Sequence, residues 1–314
     1  MKKLNKVNVL DCTLRDGGYY NNWDFSSQIA QDYLNAMSKS GIKFVELGFR
    51  SLSKKGFKGP NWYTTESYID SLSVPRNICL GVMVNVFEIT SNSLGLKKTT
   101  DLLFRNSKFS KVKFVRLASH FNEFVQATRI CKILKKKGYI VGINLMQISE
   151  KSEKDILFAA KKAQEAKPDI LYFADSLGGM DEQKIKKVIN SLRKFWKGEI
   201  GIHAHNNLGK ALTNSLFAIE HGVTWVDSTV TGMGRGPGNV QTEFLLLEME
   251  KYSKLSFNIL PVIKIVEKYF EPLKKIYNWG TNPFYYLAGK YGIHPTYIQE
   301  MISQKLDEIK ILET

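Results

Sequence analysis

Two histidines, His203-Ala204-His205, close a run of β-branched and apolar residues. Side chains along a strand alternate faces, so both imidazoles point the same way. Such a pair can ligate one metal ion or can be hydrogen-bonded core residues; the chain has five histidines, and two of them share this place. Far upstream stands Arg15-Asp16. Asp16 can give an anionic oxygen to the same ion, and can equally cap a helix or pair with Arg15. Asn239 can add an amide oxygen. Two imidazoles, a carboxylate and an amide, without thiolates, suit an open site for Mn²⁺ or Mg²⁺ better than structural zinc. An open divalent ion can hold both oxygens of a 2-oxo acid as a Lewis acid. The Arg15 guanidinium would then stabilise charge developing on the enolate oxygen. Ser176 is placed on the substrate carboxylate or in a turn with Asp175. Glu46 is placed among the catalytic residues, and Arg116 and His120 among the substrate-binding ones; a buried Glu46–Arg116 ion pair is the competing reading.

These residues need elements that bring them together. Strand-like segments run over Val7–Thr13, Ile42–Gly48, Ile78–Asn85, Val112–Ala118, Tyr139–Met146, Ile170–Asp175, Ile200–His205 and Val223–Val230. Their near-continuous apolar character fits parallel strands covered on both faces. Helical patterns lie between them, most clearly Ser26–Lys39, Glu123–Lys137, Glu153–Glu165, Asp181–Trp196 and Leu208–His221. Eight β/α units predict an α/β fold, a TIM (β/α)8 barrel over residues 1–255, with residues 256–314 as a small C-terminal helical extension. The residues named above then fall at the carboxyl ends of strands, where barrels place their chemistry. In a closed barrel strands one and seven are two steps apart, about 10 Å, so Asp16 and the histidines can converge. A doubly wound nucleotide fold would want GxGxxG after an early strand. The one glycine-rich loop, Gly232-Met-Gly-Arg-Gly-Pro-Gly238, follows the eighth strand instead.

Composition narrows the class. Hydrophobic residues make up 43% and charged residues 24% of the 314, ordinary for a folded globular chain. No run approaches the roughly 18 apolar residues of a membrane span. The net charge of +15 comes from lysines scattered over helix-like stretches, without a zinc knuckle or arginine-rich arm. That reads as a solvated basic surface with no nucleic-acid partner, one that could draw in anionic substrates. Three cysteines, Cys12, Cys79 and Cys131, are far apart and form no CxxC, which suggests the reducing cytoplasm.

The segments Leu10–Gly18 (LDCTLRDGG), Glu46-Leu-Gly48, Gly201–Gly209 (GIHAHNNLG) and Gly232–Asn239 (GMGRGPGN) together resemble the DRE-TIM metallolyases, the HMGL-like proteins. Within them, Val115–Glu123 (VRLASHFNE), Ala174–Met180 (ADSLGGM) and the tail piece Lys290–Ile293 are similar to the 4-hydroxy-2-oxovalerate aldolase branch. The resemblance implies Asp16, His203 and His205 as metal ligands, Arg15 on a pyruvate enolate and Ser176 on its carboxylate. Asn239 matches a ligand of the lyase branch. One position departs: where the pathway aldolases carry a histidine base two residues beyond Arg-Asp-Gly, this chain has Tyr19. A phenol of pKa near ~10 is a weak base at neutral pH, so base and bystander both remain open for Tyr19. The Gly17–Trp23 variant looks like aldolase-domain proteins associated with surface-polysaccharide genes. The expectation is a carbon–carbon lyase acting on a small 2-oxo acid and an aldehyde. No aldehyde dehydrogenase partner is assumed, and a homo-oligomer is compatible with the tail's aromatic cluster. The alternatives are a Claisen-type synthase joining an acyl-CoA to a 2-oxo acid, and a catalytically silent barrel acting as a binding subunit.

Overall fold

The computed structural model describes residues 7–252 and 256–304. Eight parallel strands close into a barrel in chain order: β1 (Asn8–Asp11), β2 (Phe44–Phe49), β3 (Cys79–Asn85), β4 (Val112–Ser119), β5 (Ile140–Leu145), β6 (Ile170–Asp175), β7 (Glu199–Ala204) and β8 (Trp225–Ser228). All eight expected strands are present, and β1 pairs with β8 to complete the ring. The five expected helices are present too, as Ser27–Lys39, Phe124–Lys136, Glu153–Ala166, Glu182–Arg193 and Ala211–Glu220. Ser26 caps the first of them by accepting from the Ile29 amide at 3.2 Å. Further short helices, Pro60–Tyr63, Glu66–Asp70, Val86–Thr90 and Gly95–Leu103, fill the connections after β2 and β3.

Alternation along the strands divides the molecule into two cores. Outward-facing residues such as Val45, Val82, Val115, Ile143 and Leu171 are buried beneath the helices. Each contributes about 1.5–3 kcal/mol by leaving water. Inward-facing residues stack in layers along the barrel axis. Leu10, Phe44, Phe114, Ile170, Tyr172 and Trp225 plug the lower part. Glycines admit these large side chains: a Cβ on Gly201 would lie 2.3 Å from the Tyr172 ring. Above the plug lies a charged layer of Glu46, Arg116 and Asp227, none more than 1% exposed. The mouth above that layer is open.

One local difference from the sequence expectation matters for the site. β1 stops at Asp11, whose Oδ1 accepts from the Thr13 amide at 3.0 Å and the Thr13 hydroxyl at 2.5 Å. This turns the chain out of the strand into a helical turn, Thr13–Asp16. Arg15 and Asp16 therefore project from a short turn over the barrel mouth.

The expected boundary at residue 255 lies outside the described residues. Beyond it, helices Leu260–Ile265, Glu271–Tyr277, Pro283–Tyr291 and Pro295–Ser303 follow. The first pair runs beside helix Ser27–Lys39, where the Tyr269 hydroxyl donates to Asp32 at 2.6 Å. The second pair folds over the loops after β6, β7 and β8. The Trp279 indole donates to Thr231 O at 3.1 Å, and Asn207 Nδ2 donates to Tyr285 O at 3.1 Å. No described helix is long and apolar enough to cross a membrane, and the three cysteines are free thiols.

Candidate active site

A cavity of about 380 Å³ opens at the carboxyl end of the barrel. Arg15, Asp16, Tyr19, Ser176, His203 and His205 all line it. His203 is the next-to-last residue of β7, and its Nδ1 lies 2.7 Å from Asp227 Oδ2. An ionised carboxylate only accepts, so Nδ1 carries the hydrogen and Nε2 is left facing the cavity. That Nε2 sits 3.3 Å from His205 Nε2, 3.5 Å from Asp16 Oδ2 and 3.2 Å from Asn239 Nδ2. Asp16, His203, His205 and Asn239 are each at most 4% exposed.

Several buried polar atoms here have no hydrogen-bond partner: Asp16 Oδ2, Asn239 Oδ1, His205 Nδ1 and Arg15 Nη2. Orphaned atoms of this kind are costly and call for an ion or ligand. Gly234 makes the space, since a Cβ there would lie 2.0 Å from Asn239 Oδ1 and 3.1 Å from Asp16 Oδ2. The nitrogen and oxygen donors fit a divalent cation. Cys12 was not foreseen beside them: its sulfur lies with ligand atoms of Asp16 and His203 within 4.8 Å of one another. Burial pushes that thiol's pKa well up, and it contacts Ser228 O at 3.5 Å, so it is held as a neutral thiol.

The electrostatics follow from one chain of buried ion pairs. Arg15 Nη1 lies 2.7 Å from Asp16 Oδ1, and Arg15 Nε lies 2.6 Å from Glu46 Oε1. Arg116 bonds both Glu46 oxygens, at 2.8 and 2.9 Å, and reaches Asp227 with its other arm. Asp227 in turn holds His203. Burial works to raise the Asp16 carboxyl, but Arg15, then His203, hold it well below the usual range. Burial would lower the pKa of Arg15, yet Asp16 and Glu46 raise it. Desolvation, then His203, pushes His205 well below the ordinary imidazole value, which keeps it neutral and available as a ligand.

Asp16, His203, His205 and Asn239 thus come together with Arg15, while Ser176 and Tyr19 stand on the same cavity. The Ser176 hydroxyl oxygen accepts from the Gln147 amide at 2.9 Å, leaving its hydrogen free to donate. The Tyr19 ring packs edge-on to Trp23 and lies 5.3 Å beneath the Arg235 guanidinium. Three expectations do not reach the cavity. Arg116 is wholly buried one layer below it, with its donors spent on Glu46 and Asp227. Glu46 lies in that layer too, bonded to Arg15 and Arg116. His120 is solvent-exposed beyond β4, where its amide bonds Glu123 at 3.4 Å. Asp227 and Arg235 escaped the sequence reading. An inward-facing carboxylate on the strand beside His203 was the available signal for Asp227.

The closed (β/α)8 barrel thus gathers Asp16, His203 and His205 at its carboxyl end, backed by the buried Arg15. The HMGL-like family model matches residues 6–264, and the chain belongs to this family, the DRE-TIM metallolyases. It is 30% identical to an oxaloacetate decarboxylase of Mycobacterium tuberculosis over 79% of this chain and 71% of that one. It is 30% identical to a 4-hydroxy-2-oxovalerate aldolase of Carboxydothermus hydrogenoformans over 85% and 78% of the two chains. The crystal structure of the N-terminal domain of a Bacteroides vulgatus protein described as an aldolase superposes with a TM-score of 0.86 at 31% identity, covering 95% of this chain and 97% of that one.

Proposed function

We propose that the chain is a divalent-metal-dependent aldolase that cleaves a 4-hydroxy-2-oxo acid to pyruvate and an aldehyde, or runs the reverse condensation. Mn²⁺ or Mg²⁺ would be held by Asp16, His203 and His205, with Asn239 as a further oxygen donor. The observation that carries the reading is the meeting of unpartnered Asp16 Oδ2, the two imidazole Nε2 atoms and unpartnered Arg15 Nη2 on one cavity wall. The relatives named as aldolases support it. A role in surface-polysaccharide biosynthesis rests on the Gly17–Trp23 resemblance.

A bound divalent cation supplies Lewis acidity to the carboxylate and carbonyl oxygens of a 2-oxo acid. Arg15 Nη2 donates to the C2 oxygen as it gains charge. Its other nitrogens are pinned by Asp16 and Glu46, so it arrives already oriented. Ser176 donates its free hydroxyl hydrogen to the substrate carboxylate. In the cleavage direction the 4-hydroxyl loses a proton, the C3–C4 bond breaks, and its electron pair passes to the C2 oxygen as enolate. The aldehyde leaves, and C3 then takes a proton to give pyruvate. Tyr19 is the one phenol on the described cavity lining: as phenolate it is the candidate acceptor of the 4-hydroxyl proton, directly or through water, and as neutral phenol it only shapes the pocket.

A second reading has its own support. Decarboxylation of oxaloacetate yields the same pyruvate enolate with no hydroxyl proton to remove, which suits a site with tyrosine where the aldolases have histidine. The Mycobacterium relative carries that name. Hydrogen–deuterium exchange at the pyruvate methyl group, read by NMR on metal-stripped protein with Mn²⁺ or Mg²⁺ restored, tests the enolate common to both. Metal-dependent exchange lost in Arg15→Ala supports it, and exchange indifferent to metal and to Arg15 refutes it. CO2 release from oxaloacetate, set against aldehyde release from 4-hydroxy-2-oxo acids, then separates the two.

A further inference from the structure

Beyond the pyruvate end, the cavity has a wall whose chemistry selects the other substrate. We propose that the aldehyde carries an anionic group, a carboxylate or a phosphate, held between Lys55 and Arg235. This rests on the aldolase reading and adds its substrate class.

Both cations line the same cavity as the catalytic cluster, and among the described residues neither has an ion-pair partner. The deeper arginines differ. Arg15 is neutralised by Asp16 and Glu46, Arg116 by Glu46 and Asp227, and Arg50 by Glu66 at 3.0 Å. Arg235 also has a buried Nε without a hydrogen-bond partner, and its guanidinium lies over the Tyr19 ring. A charged fork left unsatisfied beside a reaction cavity is suited to an anion on the ligand.

Lys55 alone would pass for a solvated lysine, but its loop is tethered. Glu88 Oε1 accepts from the Ser51 hydroxyl at 2.9 Å, the Ser53 amide at 3.2 Å and the Leu52 amide. Those three donors tie the loop to the helix after β3 through Glu88 Oε1; Glu88 keeps its charge on the same lining, but among the described residues it forms no ion pair with Lys55. Phe49, Met83 and Ala118 give the same cavity an apolar stretch of wall. An acceptor that fits has its carbonyl at the reactive end, a short carbon stretch against this apolar wall and its anion on Lys55 and Arg235. The +15 net charge would favour capture of such a substrate.

The test is pyruvate condensation by the Mn²⁺-loaded enzyme with acceptors matched in length: succinic semialdehyde against butanal, and glyceraldehyde 3-phosphate against glyceraldehyde. The expected kcat/KM ratio favours the anionic member of at least one pair by about tenfold or more. The pair showing the larger ratio identifies carboxylate or phosphate. Lys55→Gln and Arg235→Gln should each erode that ratio about tenfold. Equal use of charged and neutral acceptors overturns the inference, as does a ratio that neither variant changes. A second readout needs no turnover: calorimetric titration of the metal-free full chain with succinic semialdehyde. Affinity that weakens in both variants and falls with added salt supports the anion wall even if no enolate forms, in which case the aldolase reading alone fails. Affinity indifferent to both variants overturns the wall even if the enolate does form.

Discussion

The two halves of the barrel mouth use equivalent inward positions at the ends of their strands, yet they are made of opposite materials. On the side of β7, β8 and the turn after β1 stand His203, His205, Asn239, Asp16 and Arg15. On the side of β2 to β5 stand Phe49, Met83, Ala118 and Met146, packed as a small apolar cluster with Trp23 and Trp62. In the polar half the cluster around the histidines is braced from below: Asp227 holds His203, Arg116 holds Asp227 and Glu46, and Glu46 holds Arg15. Among the described residues the apolar cluster has no such chain of buried ion pairs, and packing among its side chains does most to shape it. The lesson is a division of labour. One half holds fixed charges where a pyruvate enolate would form, and the other offers a surface whose shape can change without disturbing them.

The largest break in that comparison should come from isosteric changes in the polar half. Asp16→Asn or His203→Gln preserves volume but removes an anionic oxygen or an imidazole nitrogen. Metal-dependent methyl exchange of pyruvate should fall by about 10³-fold or more, as when a group stabilising developing charge is lost. Near wild-type exchange in either variant would remove the basis for the metal site.

Next in size is the brace itself. Asp227→Asn leaves an acceptor for His203 but removes the charge that fixes its tautomer. Mn²⁺ affinity, measured by electron paramagnetic resonance of the free ion, should weaken about 10–100-fold. Arg116 would keep Glu46 yet lose a buried counter-charge, so a drop in denaturation midpoint is expected as well. Affinity equal to wild type would show that His203 is oriented by its strand alone.

A third effect concerns the loop that carries Ser176. Asp175, at the end of β6, accepts from the Gly179 and Met180 amides at 3.2 and 3.0 Å. Burial outweighs those bonds and raises its pKa to about 6. Because the folded value exceeds the unfolded one, the protonated group favours the native state. Its contribution is fully present below about pH 4 and is lost as pH rises through about 6. A shift of roughly two pKa units corresponds to about 3 kcal/mol. Asp175→Asn should therefore gain stability relative to wild type as pH is raised from 4 to 7, read from paired urea titrations. A difference that stays constant across that range would mean Asp175 ionises normally.

Much of this architecture was legible beforehand because parallel strands buried on both faces write themselves as continuous apolar runs. Periodicity also placed the five clearest helices within a few residues of their ends. The inward direction of His203 and His205 followed from alternation. Depth did not. Arg116 and Ala118 share a face of β4, but Arg116 pairs with Gly142 below the cavity while Ala118 pairs with Asn144 at its level. Only the barrel register tells these apart, and it reassigns Arg116 and Glu46 from contact with substrate to bracing. The turn that lifts Arg15 and Asp16 depends on Asp11, which Tyr33 and Thr242, distant in sequence, also hold at 2.5 and 2.6 Å. Local propensity cannot reveal that. His120 follows the last residue of β4, where the chain turns outward and leaves it exposed.

The smallest effect belongs to the apolar half. Met83 is 3% exposed and offers only contact area to the cavity. Met83→Leu nearly conserves volume, so it should cost less than about 1.5 kcal/mol in unfolding free energy. Exchange at the pyruvate methyl should fall by well under about tenfold, because no donor or charge is moved. What should change is the choice of acceptor: a branched side chain alters the shape of this apolar wall, and differences of one methylene in an apolar pocket alter kcat/KM by about 10–200-fold. Asp16→Asn and Met83→Leu are comparable changes in size on opposite walls. If both silenced methyl exchange equally, the division between a fixed polar half and an adaptable apolar half would be wrong, and the mouth would have to be treated as a single packed unit.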